Sequence, residues 1–123
     1  MTEEDVVELT SSVTLDFSKL NGLVPVVLQH AQTREVLMVG FVDQDAWTKT
    51  LETGLVTLFR RTLGRVQVKG EEEGRYVHVQ RAVVDCDDDT VLLEVLPDGP
   101  VCHFGGASCF IKEVPAKGAE SKA

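Results

Sequence analysis

Apolar and polar positions in this chain mostly follow a period of two, and the period changes once. Leu23 to Gln29 is a β-branched apolar run in which Pro25 marks an edge or a strand start, and Val36 to Val42 is a second run. Gln32-Thr33-Arg34 between them reads as a hairpin turn. After Asp43 the spacing turns helical. Ala46, Trp47, Thr50 and Leu51 recur on one face and are expected to point inward, Asp43 is placed to cap the helix, and Gly54 to end it. Leu55 to Arg61, Arg65 to Lys69, Tyr76 to Val84 and Val91 to Leu96 then return to strand-like patterns, with Glu71-Glu72-Glu73 as a solvated loop between Gly70 and Gly74. One helix among about seven strands implies an α+β protein of mainly antiparallel β structure, with a barrel-like sheet closed on itself and the helix over one end. Residues 1–12 read as a flexible acidic arm, 13–113 as one domain and 114–123 as a disordered tail.

Composition narrows the function. The 123 residues carry 12 Lys and Arg against 20 Asp and Glu, a formal charge of −8. That balance argues against a nucleic-acid binder, since phosphate affinity comes from clustered cations. No apolar run is long enough for a membrane span, and the acidic start does not resemble a secretion signal, so a cytoplasmic protein with reduced thiols is expected.

Two segments carry candidate chemistry. In Asp85-Cys86-Asp87-Asp88-Asp89, a continuing strand would put Asp85, Asp87 and Asp89 on one face and Cys86 on the other. Three carboxylates together need a cation or water, and oxygen donors suit magnesium or calcium; for the acidic run alone, a polar strand end or turn exposed to solvent is the simpler explanation. The second segment is Cys102-His103-Phe104-Gly105-Gly106-Ala107-Ser108-Cys109-Phe110. Thiolates suit zinc, yet buried apolar cysteines or a Cys102–Cys109 disulfide are alternatives. Gly105-Gly106 lets the backbone turn so that Cys109 returns towards Cys102. His103 beside a thiol is either a proton carrier or a structural histidine; His30 and His78 read as structural. Arg60, Arg61, Arg65, Lys69, Arg75 and Arg81 form a basic stretch, either an anion site or a solvated face.

Leu15-Asp16-Phe17, Gly22-Leu23-Val24-Pro25-Val26-Val27, Glu35-Val36-Leu37-Met38 and Thr50-Leu51-Glu52-Thr53-Gly54, with Asp85-Cys86-Asp87-Asp88-Asp89, Gly99-Pro100, Cys102-His103 and Ser108-Cys109-Phe110, resemble the phosphoribosyl-AMP cyclohydrolase family of histidine biosynthesis over residues 15 to 110. The resemblance implies a small β pseudobarrel capped by a helix, and a homodimer whose metal site lies at the subunit interface. It implies zinc on Cys86, Cys102 and Cys109, magnesium on Asp85, Asp87 and Asp89, His103 as general base, and Arg61, Lys69 and Glu71 near substrate. The implied reaction is hydrolysis of the N1–C6 bond of the adenine ring of 1-(5-phosphoribosyl)-AMP. An aromatic amidine carbon is a poor electrophile, so zinc would serve by lowering the pKa of water, with a base to assist. Arg60-Arg61-Thr62-Leu63 replaces the family's Ser-Arg-Ser-Arg, Gln67 its tryptophan, and Glu72-Glu73-Gly74 its Thr-Ser-Gly. Carboxylates there would repel phosphate. A paralogous hydrolase acting on another purine-like heterocycle, or a non-catalytic metal-binding protein, is the alternative.

Overall fold

The structure is a computed structural model that describes residues 13–102 and 104–118. Six strands and one helix appear among these residues: β1 (Val24–His30), β2 (Val36–Val42), α1 (Gln44–Thr53), β3 (Thr57–Arg60), β4 (Arg65–Val68), β5 (Val77–Val84) and β6 (Val91–Pro97). The expected arm, the expected tail beyond residue 118 and His103 lie outside the described residues. No helix is long and apolar enough to cross a membrane among the described residues.

The strands form a four-stranded sheet of order β2-β1-β6-β5 and a separate β3-β4 hairpin. The larger sheet is mixed, because β1 runs parallel to β6 while its other pairs are antiparallel. Pro25 is tolerated in the interior strand β1 because the ladder to β6 starts only at Val26.

The expected closed barrel is not formed. The chain leading into β3 binds β5 through Val56 N–H to Val77 O (2.9 Å) and Val79 N–H to Gly54 O (2.8 Å). On the other side, β3 meets β2 through side chains. A methyl group at Gly40 would stand 3.0 Å from Leu58 Cδ1, so this small residue admits the leucine. The hairpin thus packs over the core face of the larger sheet without a continuous hydrogen-bond ladder, and six strands stand among the described residues where about seven were expected.

Strand alternation fills the space beneath it. Val24, Val26 and Leu28 of β1 and Val91, Leu93 and Val95 of β6 point inward with Leu37, Val42, Val56 and Leu58. The helix begins where Asp43 accepts the Ala46 N–H at 2.8 Å and ends at Gly54, whose φ of +74° is the left-handed cap. It buries Ala46, Trp47 and Thr50, and the Thr50 hydroxyl donates to Ala46 O and Thr57 O. Leu51 was expected inside but is exposed, because β3 and the neighbouring strands cover only one side of the helix.

The outer face of the sheet is also ordered by register. Val39, Val27, Leu92 and Val83 lie opposite one another across all four strands as one apolar row. Two residues further along, Glu94 is buried between Arg34 (3.0 Å) and Arg81 (2.6 Å), and Arg81 holds its carboxyl below the usual range.

Candidate metal and substrate site

The functional candidates gather at the two ends of the β5–β6 ribbon. At one end the strand does not continue into the acidic run as expected. β5 stops at Val84 and residues 85–90 form a turn in which Asp88 takes a φ of +61°. Asp85 organises it by accepting the N–H groups of Asp89 (3.0 Å) and Thr90 (3.1 Å). The turn itself brings carboxylate oxygens of Asp85, Asp87 and Asp89 within 4.8 Å of one another. Cys86 lies in this turn and is exposed.

A lysine has come to that cluster from the start of the domain. Lys19 Nζ stands 2.8 Å from Asp89 and 3.5 Å from Asp87, and Asp16 N–H donates to Asp88 O at 2.7 Å. Lys19 draws the Asp89 carboxyl well below its ordinary range, while Asp89 and Asp85 beside it push Asp87 up. The Lys19 ammonium is itself raised, chiefly by Asp89. The donor set fits a hard divalent cation, and the lysine serves as an internal counter-charge on the same oxygens.

At the other end, Cys102 is buried and the Cys109 thiol comes within interacting reach of it. Gly105 turns the chain at φ +97° and donates to Cys102 O at 2.9 Å, while Cys102 N–H donates to Gly106 O at 3.1 Å. Ser108 then fastens the segment to β2. Its hydroxyl donates to Val36 O (2.8 Å) and accepts the Phe110 N–H (3.0 Å), and Cys109 N–H donates to Leu37 O (2.7 Å). Although Cys109 as a residue is exposed, loss of water around its thiol pushes its pKa up, with the Cys102 thiol adding to the effect and Lys69 opposing it. Two adjacent soft donors without a disulfide fit zinc.

Cys86 does not join them in this chain. It follows β5, whereas Cys102 lies beyond the opposite end of that strand; seven residue steps at about 3.4 Å each put the ends on the order of 24 Å apart.

The expected substrate residues also divide. Lys69 and Glu71 line a groove of about 450 Å³ together with Cys109 and Met38. Arg61 stands instead at the β3–β4 tip, its guanidinium 4.1 Å above the Phe41 ring. Lys69 also lines a smaller pocket of about 200 Å³ that reaches Cys102 and Arg75. His30 and His78 each have a partner within the chain. His30 Nδ1 accepts the Gln32 N–H at 3.1 Å, and His78 Nε2 is 3.0 Å from Asp98. Sequence reasoning missed Lys19, because no periodicity links it to a turn some seventy residues away.

Comparison with known proteins identifies the family. The family model described as phosphoribosyl-AMP cyclohydrolase matches residues 38–111. The histidine biosynthesis bifunctional protein HisIE of Bacteroides thetaiotaomicron is 52% identical over 96 residues, covering 78% of this chain and 47% of that protein. HisIE of Staphylococcus epidermidis is 48% identical over 103 residues (84% and 48%), and HisIE of Staphylococcus aureus 50% over 101 residues (82% and 47%). The chain spans about half the length of the curated relatives it matches.

Proposed function

The chain belongs to the phosphoribosyl-AMP cyclohydrolase family, and on that premise we propose that it hydrolyses the N1–C6 bond of the adenine ring of 1-(5-phosphoribosyl)-AMP, a ring-opening step of histidine biosynthesis. The observation that carries this reading is the pair of free thiols, Cys102 and Cys109, set against each other beside a groove and a pocket that share Lys69.

Zinc is the metal these donors suit, with Cys86 as the third ligand. Since Cys86 stands at the far end of the ribbon, its sulfur would come from a second copy of the chain. The apolar row Val39–Val27–Leu92–Val83 supports such a homodimer, because it leaves a largely apolar groove of about 250 Å³ beside Asp85 and Thr90. Asp85, Asp87 and Asp89 would hold magnesium once Lys19 yields its place. Bound zinc supplies activation of water at neutral pH.

The remaining work falls to the chain's own side chains. His103 is the residue proposed to take the proton from the attacking water, and its position lies outside the described residues. Lys69 and Glu71 orient the nucleotide from the groove wall, and Arg61 from the hairpin tip. Carboxylates of Glu71, Glu72 and Glu73 line the same groove, which favours as a second reading a paralogous hydrolase of a less phosphorylated purine-like ring.

The test is turnover of phosphoribosyl-AMP by purified, zinc-loaded protein, followed by appearance of the imidazole carboxamide product. No turnover at full metal content rejects the substrate; activity confined to a non-phosphorylated purine analogue supports the second reading.

A further inference from the structure

The six cations that cluster in the sequence separate in the fold. Arg60 donates to Gln67 at 2.7 Å, Arg61 covers Phe41, Arg81 pairs with Glu94, and Arg65 is exposed opposite Arg60 in the hairpin. Lys69 and Arg75 alone among them line the pocket of about 200 Å³ that reaches Cys102. Neither forms a salt bridge among the described residues.

Two glycines make this placement possible. The loop after Lys69 folds back so that Arg75 N–H donates to Gly70 O at 3.1 Å. Gly70 has a φ of +84°, and a methyl group there would lie 1.8 Å from Arg75 O, so another residue would force the loop open. The Arg75 arm then passes Gly99, where a methyl group would stand 3.0 Å from its Cδ. Only Glu73 of the three loop glutamates lines this pocket, while Glu71 and Glu72 face the larger groove. Lys69, Arg75 and Glu73 together leave a net positive charge in an otherwise acidic protein.

We infer that Lys69 and Arg75 form a phosphate-binding pocket beside the thiols, with Arg75 as a residue that selects a nucleotide 5′-phosphate over the free nucleoside. The inference rests on the proposed function, which supplies a phosphorylated nucleotide to this site. Lysine offers a point charge, and arginine a planar fork that binds two phosphate oxygens at once.

The test is calorimetric titration of the metal-loaded protein with AMP and with adenosine, in the wild type, Arg75→Gln and Arg75→Lys. The expected result is that Arg75→Gln weakens AMP binding by about tenfold or more, leaves adenosine unchanged, and is partly rescued in Arg75→Lys. The KM for phosphoribosyl-AMP should rise by more than kcat falls. Unchanged AMP affinity, equal weakening of both ligands, or no wild-type preference for AMP at millimolar concentration would overturn it. AMP binding that depends on Arg75 in a protein that does not turn over phosphoribosyl-AMP would uphold the pocket and reject the proposed substrate.

Discussion

The two ends of the β5–β6 ribbon each present cysteine in an irregular segment, and they hold it by different forces. The Asp85–Thr90 turn is shaped by charge: a lysine from far along the chain, three crowded carboxylates and an exposed Cys86. The Cys102–Cys109 segment is shaped by neutral hydrogen bonds onto β2 and by burial of Cys102. The first should therefore respond to salt and acid more than the second. The contrast also separates donor chemistry. Hard oxygens lie at one end and paired sulfurs at the other, so a centre of three sulfurs calls for the opposite ends of two chains.

The sharpest way to break that comparison is to mix two inactive variants. Cys86→Ser and Cys109→Ser should each abolish turnover and tight zinc binding. Co-refolded in equal amounts, they should regain about a quarter of wild-type activity, because random pairing makes half the dimers mixed and each mixed dimer has one intact site. No recovery would mean that Cys86 and Cys109 do not act across subunits. Next in size, His103→Ala should slow the chemical step by about a hundredfold or more with zinc content unchanged, read from single-turnover rates and metal analysis.

Smaller effects sharpen the contrast in forces. Ser108→Ala leaves the Phe110 N–H without its acceptor and frees the segment from Val36 O, so urea unfolding should show a loss of about 1–2 kcal/mol that does not change between low and high salt. Lys19→Met acts at the other end and should cost less. The Asp89 carboxyl is depressed in the folded chain, so the stability it contributes is present above its ordinary value of 3.8 and is lost as pH falls through its lower folded value. Lys19→Met should therefore be less stable than wild type at pH 7, and the gap should close in strong acid and in high salt. A gap that persists under both conditions would show that Lys19 acts by packing rather than charge. The same variant should bind magnesium more tightly in calorimetry, since the competing ammonium is gone.

Local features of this fold were legible in the sequence. Asp43 and Gly54 cap the helix as their chemistry dictates, because a cap depends on groups within one turn. The turn at Gly105 was legible for the same reason. What depends on distant partners was not. Leu51 fits the apolar stripe, but where that stripe ends is decided by how far the neighbouring strands extend. Closure of the sheet failed because β3 reaches β5 through the few residues before it and reaches β2 only by side chains. The acidic triad is the instructive case. Strand alternation correctly grouped Asp85, Asp87 and Asp89, yet the grouping arises from a turn with Asp88 in a left-handed conformation. A basic stretch that looked uniform in sequence divides in the fold: of its six cations only Lys69 and Arg75 line the pocket that reaches Cys102, and that placement follows from loop closure at Gly70.

The parallel pairing of β1 with β6 has a consequence for how the molecule is made. Val26 meets Val91, so the central ladder joins the first strand to the last and encloses nearly everything between them. A chain emerging from the ribosome can form its first hairpin early, but β1 keeps one edge unsatisfied until β6 has been synthesised. Native closure is thus a late event of high contact order, and the interval before it is when the nascent protein most needs protection from aggregation.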